Sequence, residues 1–247
     1  MDTLFDFSEK VVLITGGSRG LGLAMARAFA SRGAHLIIAS RKLESCERAA
    51  GEIRALGRRA LAVSCHAGHW DEVDALVAKS YAEFGRIDIL INNAGMSPVL
   101  PSSLETPEEV LDKVYALNFK GPFRLSAQVG SRMAAGHGGC IINISSYGSL
   151  RPRPDYAPYS GAKAALNALT VAHAIEFAPK VRVNAILPGS FRTDIAKHWP
   201  ADKESKTDAV LRRFGEPEEI VSTALYLASP ASAFTTGALI RVDGGRP

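Results

Sequence analysis

Tyr159, Lys163 and Ser146 bring together a phenol, an ammonium group and a hydroxyl, the parts of a proton-transfer centre. Tyr159 and Lys163 stand four apart in Tyr159-Ser160-Gly161-Ala162-Lys163, so a helix puts both on one face, a turn apart. A fixed cation beside a phenol favours the phenolate. The spacing therefore predicts a tyrosine pKa lowered from about 10 toward working pH, which suits a general acid/base. Ser146, thirteen residues before the tyrosine, is placed to hydrogen-bond a substrate oxygen as charge builds on it. Such a pair arises by chance in many helices, so its meaning depends on the elements that position it.

Those elements are legible as apolar runs of strand length at 11–14, 36–39, 60–63, 87–91, 140–144, 181–187 and 238–242. Continuous rather than alternating apolarity predicts strands buried on both faces, as in a parallel sheet. Helix-length segments such as 21–31, 43–56 and 70–84 lie between them. Strand–helix alternation of this kind predicts an α/β doubly wound sheet, and 247 residues fit one domain spanning 1–247. A polar, charged stretch at about 190–213 reads as a substrate flap.

Thr15-Gly16-Gly17-Ser18-Arg19-Gly20-Leu21-Gly22 follows the first strand and opens the first helix. Glycines there allow close backbone approach to a pyrophosphate, and the helix N-terminus offers free N–H groups. At the end of the second strand an acid would bind the 2′-hydroxyl of NAD, whereas an arginine accommodates a 2′-phosphate. This chain has Ala39-Ser40-Arg41-Lys42, with no acid at the strand end. Arg19 is a second candidate for the same phosphate. The reading is NADP(H) over NAD(H); the alternative is that Arg41 and Lys42 solvate the next helix beside Glu44 and Glu47.

Composition removes other classes. A net charge of +4 without basic runs longer than two argues against nucleic acid as a partner. The apolar runs are too short to span a bilayer, and the first ten residues carry three acids and no signal core. Cys46, Cys65 and Cys140 are scattered, without zinc-like spacing, and read as reduced buried thiols of a cytoplasmic protein. His66 and His69 lack further ligands, so no metal is expected.

With these pieces placed, the chain resembles the short-chain dehydrogenase/reductase family over essentially its whole length. The resemblance covers the 15–22 turn, Asn92-Asn93-Ala94-Gly95, Asn118, Ser146, Tyr159, Lys163, Pro188-Gly189 with Thr193, and Asp243-Gly244-Gly245. It implies a Rossmann-like seven-stranded sheet flanked by helices and a homotetramer, or a dimer. It also implies that Tyr159 is the acid/base, that Lys163 holds the nicotinamide ribose, and that Ser146 orients the substrate oxygen. Asn118 would anchor a water linking Lys163 to solvent. Gly16, Ser18, Arg19, Gly20, Leu21 and Gly22 would form the phosphate turn. Asn93, Ala94 and Gly95 would line the adenosine side, and Pro188, Gly189, Phe191 and Thr193 the nicotinamide side. The family usually has an aspartate after the third strand for the adenine amino group; here the segment is Cys65-His66-Ala67-Gly68-His69, so His66 takes that place.

The expected substrate is a ketone or secondary alcohol, with a small carbonyl or 3-oxoacyl compound favoured. Ketoacyl-thioester reductases, sugar or polyol dehydrogenases and carbonyl reductases share this framework. Met96, Ser97, Tyr147, Leu150, Arg151, Pro152, Arg153, Tyr156 and Phe191 are the candidate pocket residues. Arg151 and Arg153 would suit an anionic group, or else an interface. A non-catalytic NADP(H)-binding regulator and a scaffold subunit are the alternative classes; a sensor has no need of Ser146, Tyr159 and Lys163.

Overall fold

The computed structural model describes residues 3–194, 204, 205 and 207–246. Seven strands are present: β1 Val11–Thr15, β2 His35–Ser40, β3 Ala60–Ser64, β4 Ile89–Asn92, β5 Gly139–Ile144, β6 Val181–Pro188 and β7 Leu239–Val242. They form one sheet in the order β3-β2-β1-β4-β5-β6-β7, every pair parallel. The helices are α1 Gly20–Ala30, α2 Leu43–Ala55, α3 Trp70–Phe84, α4 Glu108–Tyr115, α5 Gly121–Ala135, α6 Ala157–Glu176 and α7 Val221–Ala228. The expected strand and helix segments agree with these to within two residues at each end.

The apolar runs are continuous because successive strand residues serve two cores. Val12, Ile14, Leu36, Ile38, Ile91 and Ile142 pack with α1, α2 and α7 on one face. Val11, Leu13, Ile37, Leu90, Ile141 and Val183 pack with α3 and α5 on the other. Each buried aliphatic side chain contributes about 1.5–3 kcal/mol, so neither face tolerates a shift in register. β7 departs from the expected two-sided burial: Leu239 and Arg241 are exposed. It is the edge strand, and only Ile240 and Val242 point into the core.

Strand order reverses between β1 and β4, which opens a crevice at their carboxyl ends, the usual ligand position in a Rossmann-like sheet. Of the expected flap, positions 195–203 and 206 lie outside the described residues, among them Lys197, His198, Asp202, Lys203 and Lys206. No helix among the described residues is long and apolar enough to cross a membrane.

Candidate active site

The floor of the crevice is a turn that only glycine permits. Gly16 has φ +63°, and a Cβ there would come 2.9 Å from Asn93 Nδ2. At Gly22, in the first turn of α1, a Cβ would lie 2.2 Å from the Gly16 carbonyl oxygen. Asn93 staples the two crevice walls: its side-chain Nδ2 donates to the Thr15 and Gly16 carbonyls at 3.0 and 3.1 Å. The Asn93 and Ala94 N–H groups both donate to Thr15 Oγ1 at 3.1 Å. No side chain caps α1, so its first N–H groups face the crevice free for an anion. Leu21 packs partly into the core beneath. Thr193, from the loop after β6, reaches over this turn, its methyl 3.4 Å from the Cβ position at Gly20.

At the β2 end, Ser18 Oγ and Ser40 Oγ are 2.7 Å apart, and Arg41 beside them is exposed and enters no ion pair among the described residues. Arg19 is also exposed, but it turns to Asp194 at 3.6 Å, a loose surface pair. His66 is fixed by both neighbours: its N–H donates to Glu72 Oε2 at 2.7 Å, and its Nδ1 accepts from Gly68 N–H at 3.2 Å. Burial, then the facing His69 and Arg41, hold its imidazole below the ordinary histidine pKa. Among the described residues no group of three side chains is arranged to hold a metal.

The opposite wall carries the reactive groups. Ser146 follows β5 and Tyr159 and Lys163 project from the start of α6. Lys163 is buried, and Nζ donates to the Ile144 carbonyl at 2.7 Å. With no carboxylate to balance it, burial pushes this amine down to about 7. Tyr159 is half-buried and hydrogen-bonds Ser146. Its phenol departs from the expected lowering: burial pushes it above the ordinary tyrosine value, and the Ser146 bond is the opposing influence. The reason is geometric. Lys163 Nζ is 5.9 Å from the ring centroid and committed to Ile144, and its own positive charge is incomplete near neutral pH.

Asn118 sits in a π-helical turn, Ala116–Lys120, that joins α4 to α5. Its Nδ2 donates to the Met96 and Val114 carbonyls, both at 2.9 Å, and its Oδ1 accepts from Met96 N–H at 3.3 Å. A Cβ at Gly95 would stand 2.8 Å from Asn118 Oδ1 and 3.6 Å from Lys163 Nζ, so glycine keeps that approach open.

Two expected lining residues lie elsewhere. The Phe191 ring packs in the α1/α7-side core against Gly215. Tyr147 is buried, with the Arg241 and Arg246 guanidinium groups over its ring. Tyr156 does reach the centre, its ring 6.2 Å from that of Tyr159 and edge-on. Arg153 lies 3.5 Å from Asp155, whose carbonyl accepts from Leu100 N–H and joins the loops after β4 and β5. The side-chain bonds of Thr15 to Asn93, Ser40 to Ser18, Ser145 to Asn167 and Asn167 to Ser149 escaped sequence reasoning because these partners are distant in the chain. Asn92, the last residue of β4, is buried and donates to Ser126 and Asn143.

A family model described as enoyl-(acyl carrier protein) reductase matches residues 16–246. The human dehydrogenase/reductase SDR family member 4 is 35% identical over 97% of this chain and 88% of its own length. Among solved structures, a short-chain type dehydrogenase/reductase from Mycobacterium marinum superposes with TM-score 0.92 at 36% identity, over 98% of this chain and 97% of that one. The 3-ketoacyl-(acyl-carrier-protein) reductase of Brucella melitensis, complexed with NADH, gives 0.90 at 34%, over 98% and 99%.

Proposed function

Because the chain belongs to the short-chain dehydrogenase/reductase family of oxidoreductases, we propose that it interconverts a ketone and a secondary alcohol with NADP(H), using Tyr159 as general acid/base. The observation that carries this reading is the meeting of Tyr159, Ser146 and a desolvated Lys163 at the end of β5, in the same crevice as the glycine turn. The crevice fits a dinucleotide. Cβ atoms at Gly16 or Gly22 would collide with Asn93 and the Gly16 carbonyl and distort the turn, and α1 offers uncapped N–H groups.

Gly16, Ser18, Gly20, Leu21 and Gly22 would hold the pyrophosphate, with Asn93, Ala94 and Gly95 along the adenosine and Pro188, Gly189, Thr193 and the Phe191 backbone along the nicotinamide. When bound, the nicotinamide supplies or accepts the hydride. Tyr159 gives its proton to the substrate oxygen in reduction and takes one from the hydroxyl in oxidation. Ser146 Oγ hydrogen-bonds that same oxygen. Lys163 keeps two N–H groups beyond its bond to Ile144, enough for the ribose hydroxyls. Asn118 holds the π-helical turn beside Lys163, where the water leading to solvent would sit.

Preference for NADP(H) is supported by exposed Arg41 with Ser18 and Ser40 beside it and no acid at the β2 end. Arg19 would join them by leaving its surface pair with Asp194. NADH in the Brucella reductase is a counterexample within the family. His66 accepts at Nδ1, so its neutral ring donates from Nε2 and would meet an acceptor nitrogen of the adenine rather than the amino group. The substrate is a small carbonyl or 3-oxoacyl compound, held between the loops after β4 and β5 and the flap at about 190–213. We further propose a cytoplasmic homotetramer. Three buried free cysteines suit a reducing compartment. Exposed Phe123, Val171 and Ile175 on α5 and α6, and Phe234 with Leu239 at the β7 edge, supply two apolar faces.

Titration of the purified protein with NADPH and NADH, followed by an NADPH-oxidation screen over ketones, 3-oxoacyl thioesters and keto-sugars, tests the reading. Tight NADPH, weak NADH and turnover of one carbonyl class are expected. Binding of neither nucleotide overturns it.

A further inference from the structure

We infer that Asn167 is a positioning residue, tying the turn that carries Ser146 to the helix that carries Tyr159 and Lys163. Asn167 lies one helical turn beyond Lys163 on α6 and is buried. Its Oδ1 accepts from Ser145 Oγ at 2.6 Å, and its Nδ2 donates to Ser149 Oγ at 2.8 Å. Ser149 Oγ in turn donates to the Ser146 carbonyl at 2.6 Å. The chain Ser145→Asn167→Ser149→Ser146 thus pins the turn on both sides of Ser146.

The direction of every bond is determined. Ser149 Oγ spends its one proton on the Ser146 carbonyl, so it can only accept from Asn167. Asn167 must therefore present its nitrogen to Ser149 and its oxygen to Ser145, whose proton goes to that oxygen at 2.6 Å, with the Lys163 carbonyl the weaker neighbour at 3.2 Å. One acceptor and one donor at this spot is what a carboxamide supplies; a carboxylate offers two acceptors and an aliphatic side chain neither. Within the pinned turn, Ser146 Oγ accepts from Gly148 N–H at 3.0 Å, which aims the hydroxyl. A misplacement of about 1 Å at such a group costs about a hundredfold in rate, so a residue that sets the turn sets the chemistry.

The neighbouring bond between Asn143 Nδ2 and Thr170 Oγ1, 2.9 Å, also joins β5 to α6 but touches no residue of this turn. It provides a control of matched burial.

The inference rests on the reading that Ser146 orients the substrate oxygen, and the test separates the two. Hydrogen exchange of residues 146–150 reports the turn without any substrate. Asn167→Ala, Asn167→Asp and Ser149→Ala should each raise deuterium uptake there and leave NADPH affinity intact, whereas Thr170→Val should not raise it. Single-turnover NADPH oxidation at high enzyme concentration, with the best ketone of the screen, should then slow about tenfold to a hundredfold for Asn167→Ala. In a Ser146→Ala background the same change should cost less than about twofold. Unchanged uptake, or an equal loss in both backgrounds, overturns the role of Asn167. A Ser146→Ala enzyme as fast as the parent would instead overturn the role of Ser146, with exchange still deciding whether Asn167 holds the turn. Should Asn167→Ala fail to fold, Ser149→Ala breaks the same chain from its half-exposed end and takes over both arms.

Discussion

The two walls of the crevice are made from different materials. The phosphate floor is backbone: Gly16 and Gly22 remove atoms, uncapped N–H groups supply the attraction, and Asn93 and Thr15 tie main chain to main chain. The wall proposed to be catalytic is side chain: a buried amine, a phenol shifted upward by burial, and a relay of buried amides and hydroxyls. In the proposed function the floor would bind charge with dipoles, without an ionised group in the interior. The wall places an amine where solvation is poor, at a cost in stability that the proposed reaction would explain. Binding and stability therefore coincide on the floor and oppose each other on the wall.

The largest effect that would break this contrast is Tyr159→Phe. Turnover should fall about a thousandfold, within the usual range for loss of an acid/base group, while nucleotide binding persists in the same titration. If nucleotide affinity falls with turnover, the two walls are not separable. Gly22→Ala should do the reverse of a catalytic lesion. Its Cβ would collide with the Gly16 carbonyl, so denaturant unfolding should show a loss of about 1–3 kcal/mol and nucleotide affinity should fall with it. Arg41→Ala should weaken NADPH about tenfold, some 1.4 kcal/mol, and leave NADH nearly unchanged; equal losses would remove Arg41 from the 2′-phosphate.

Lys163→Met sharpens the contrast by its sign. The folded amine titrates near 7 rather than 10.5, so the unfolded chain binds the extra proton between those values. Stability contributed by this site therefore rises with pH across that window, and the burial penalty is complete below it. The methionine variant should be inactive yet melt about 4 °C higher at pH 6.5, with the gain shrinking toward pH 10. A lower melting temperature at pH 6.5 would show that Lys163 stabilises the fold.

Most of the fold was legible because a strand buried on both faces has to be apolar throughout, and each such run became a strand. β7 is the instructive exception: its apolar residues say nothing about which face a single chain leaves bare. On the floor, glycines 16, 20 and 22 announced themselves, since few residues tolerate those positions. Asn93 was named, but its partners are 77 and 78 residues away and no local pattern encodes them. On the wall, the four-residue offset revealed Tyr159 and Lys163, but not the direction in which burial moves their pKa values. That direction depends on where the ammonium points, here to Ile144. Asn167 and Ser145 look like any polar residues beside a helix and a strand end, and Phe191 like any aromatic in a loop.

Parallel pairing of β1 with β4, Val12 opposite Ile89, has a consequence for synthesis on the ribosome. Everything the phosphate floor needs, from Thr15 to Gly95, lies in the first part of the chain, whereas Ser146, Tyr159 and Lys163 come after it. At ~5–20 residues per second, translation supplies the half that carries the glycine turn several seconds before Lys163 exists. The glycine turn is thus available as a folding template for the later half, while the core on the α1 face closes only after Lys163, when Ala224, Leu225 and Leu227 of α7 have been made.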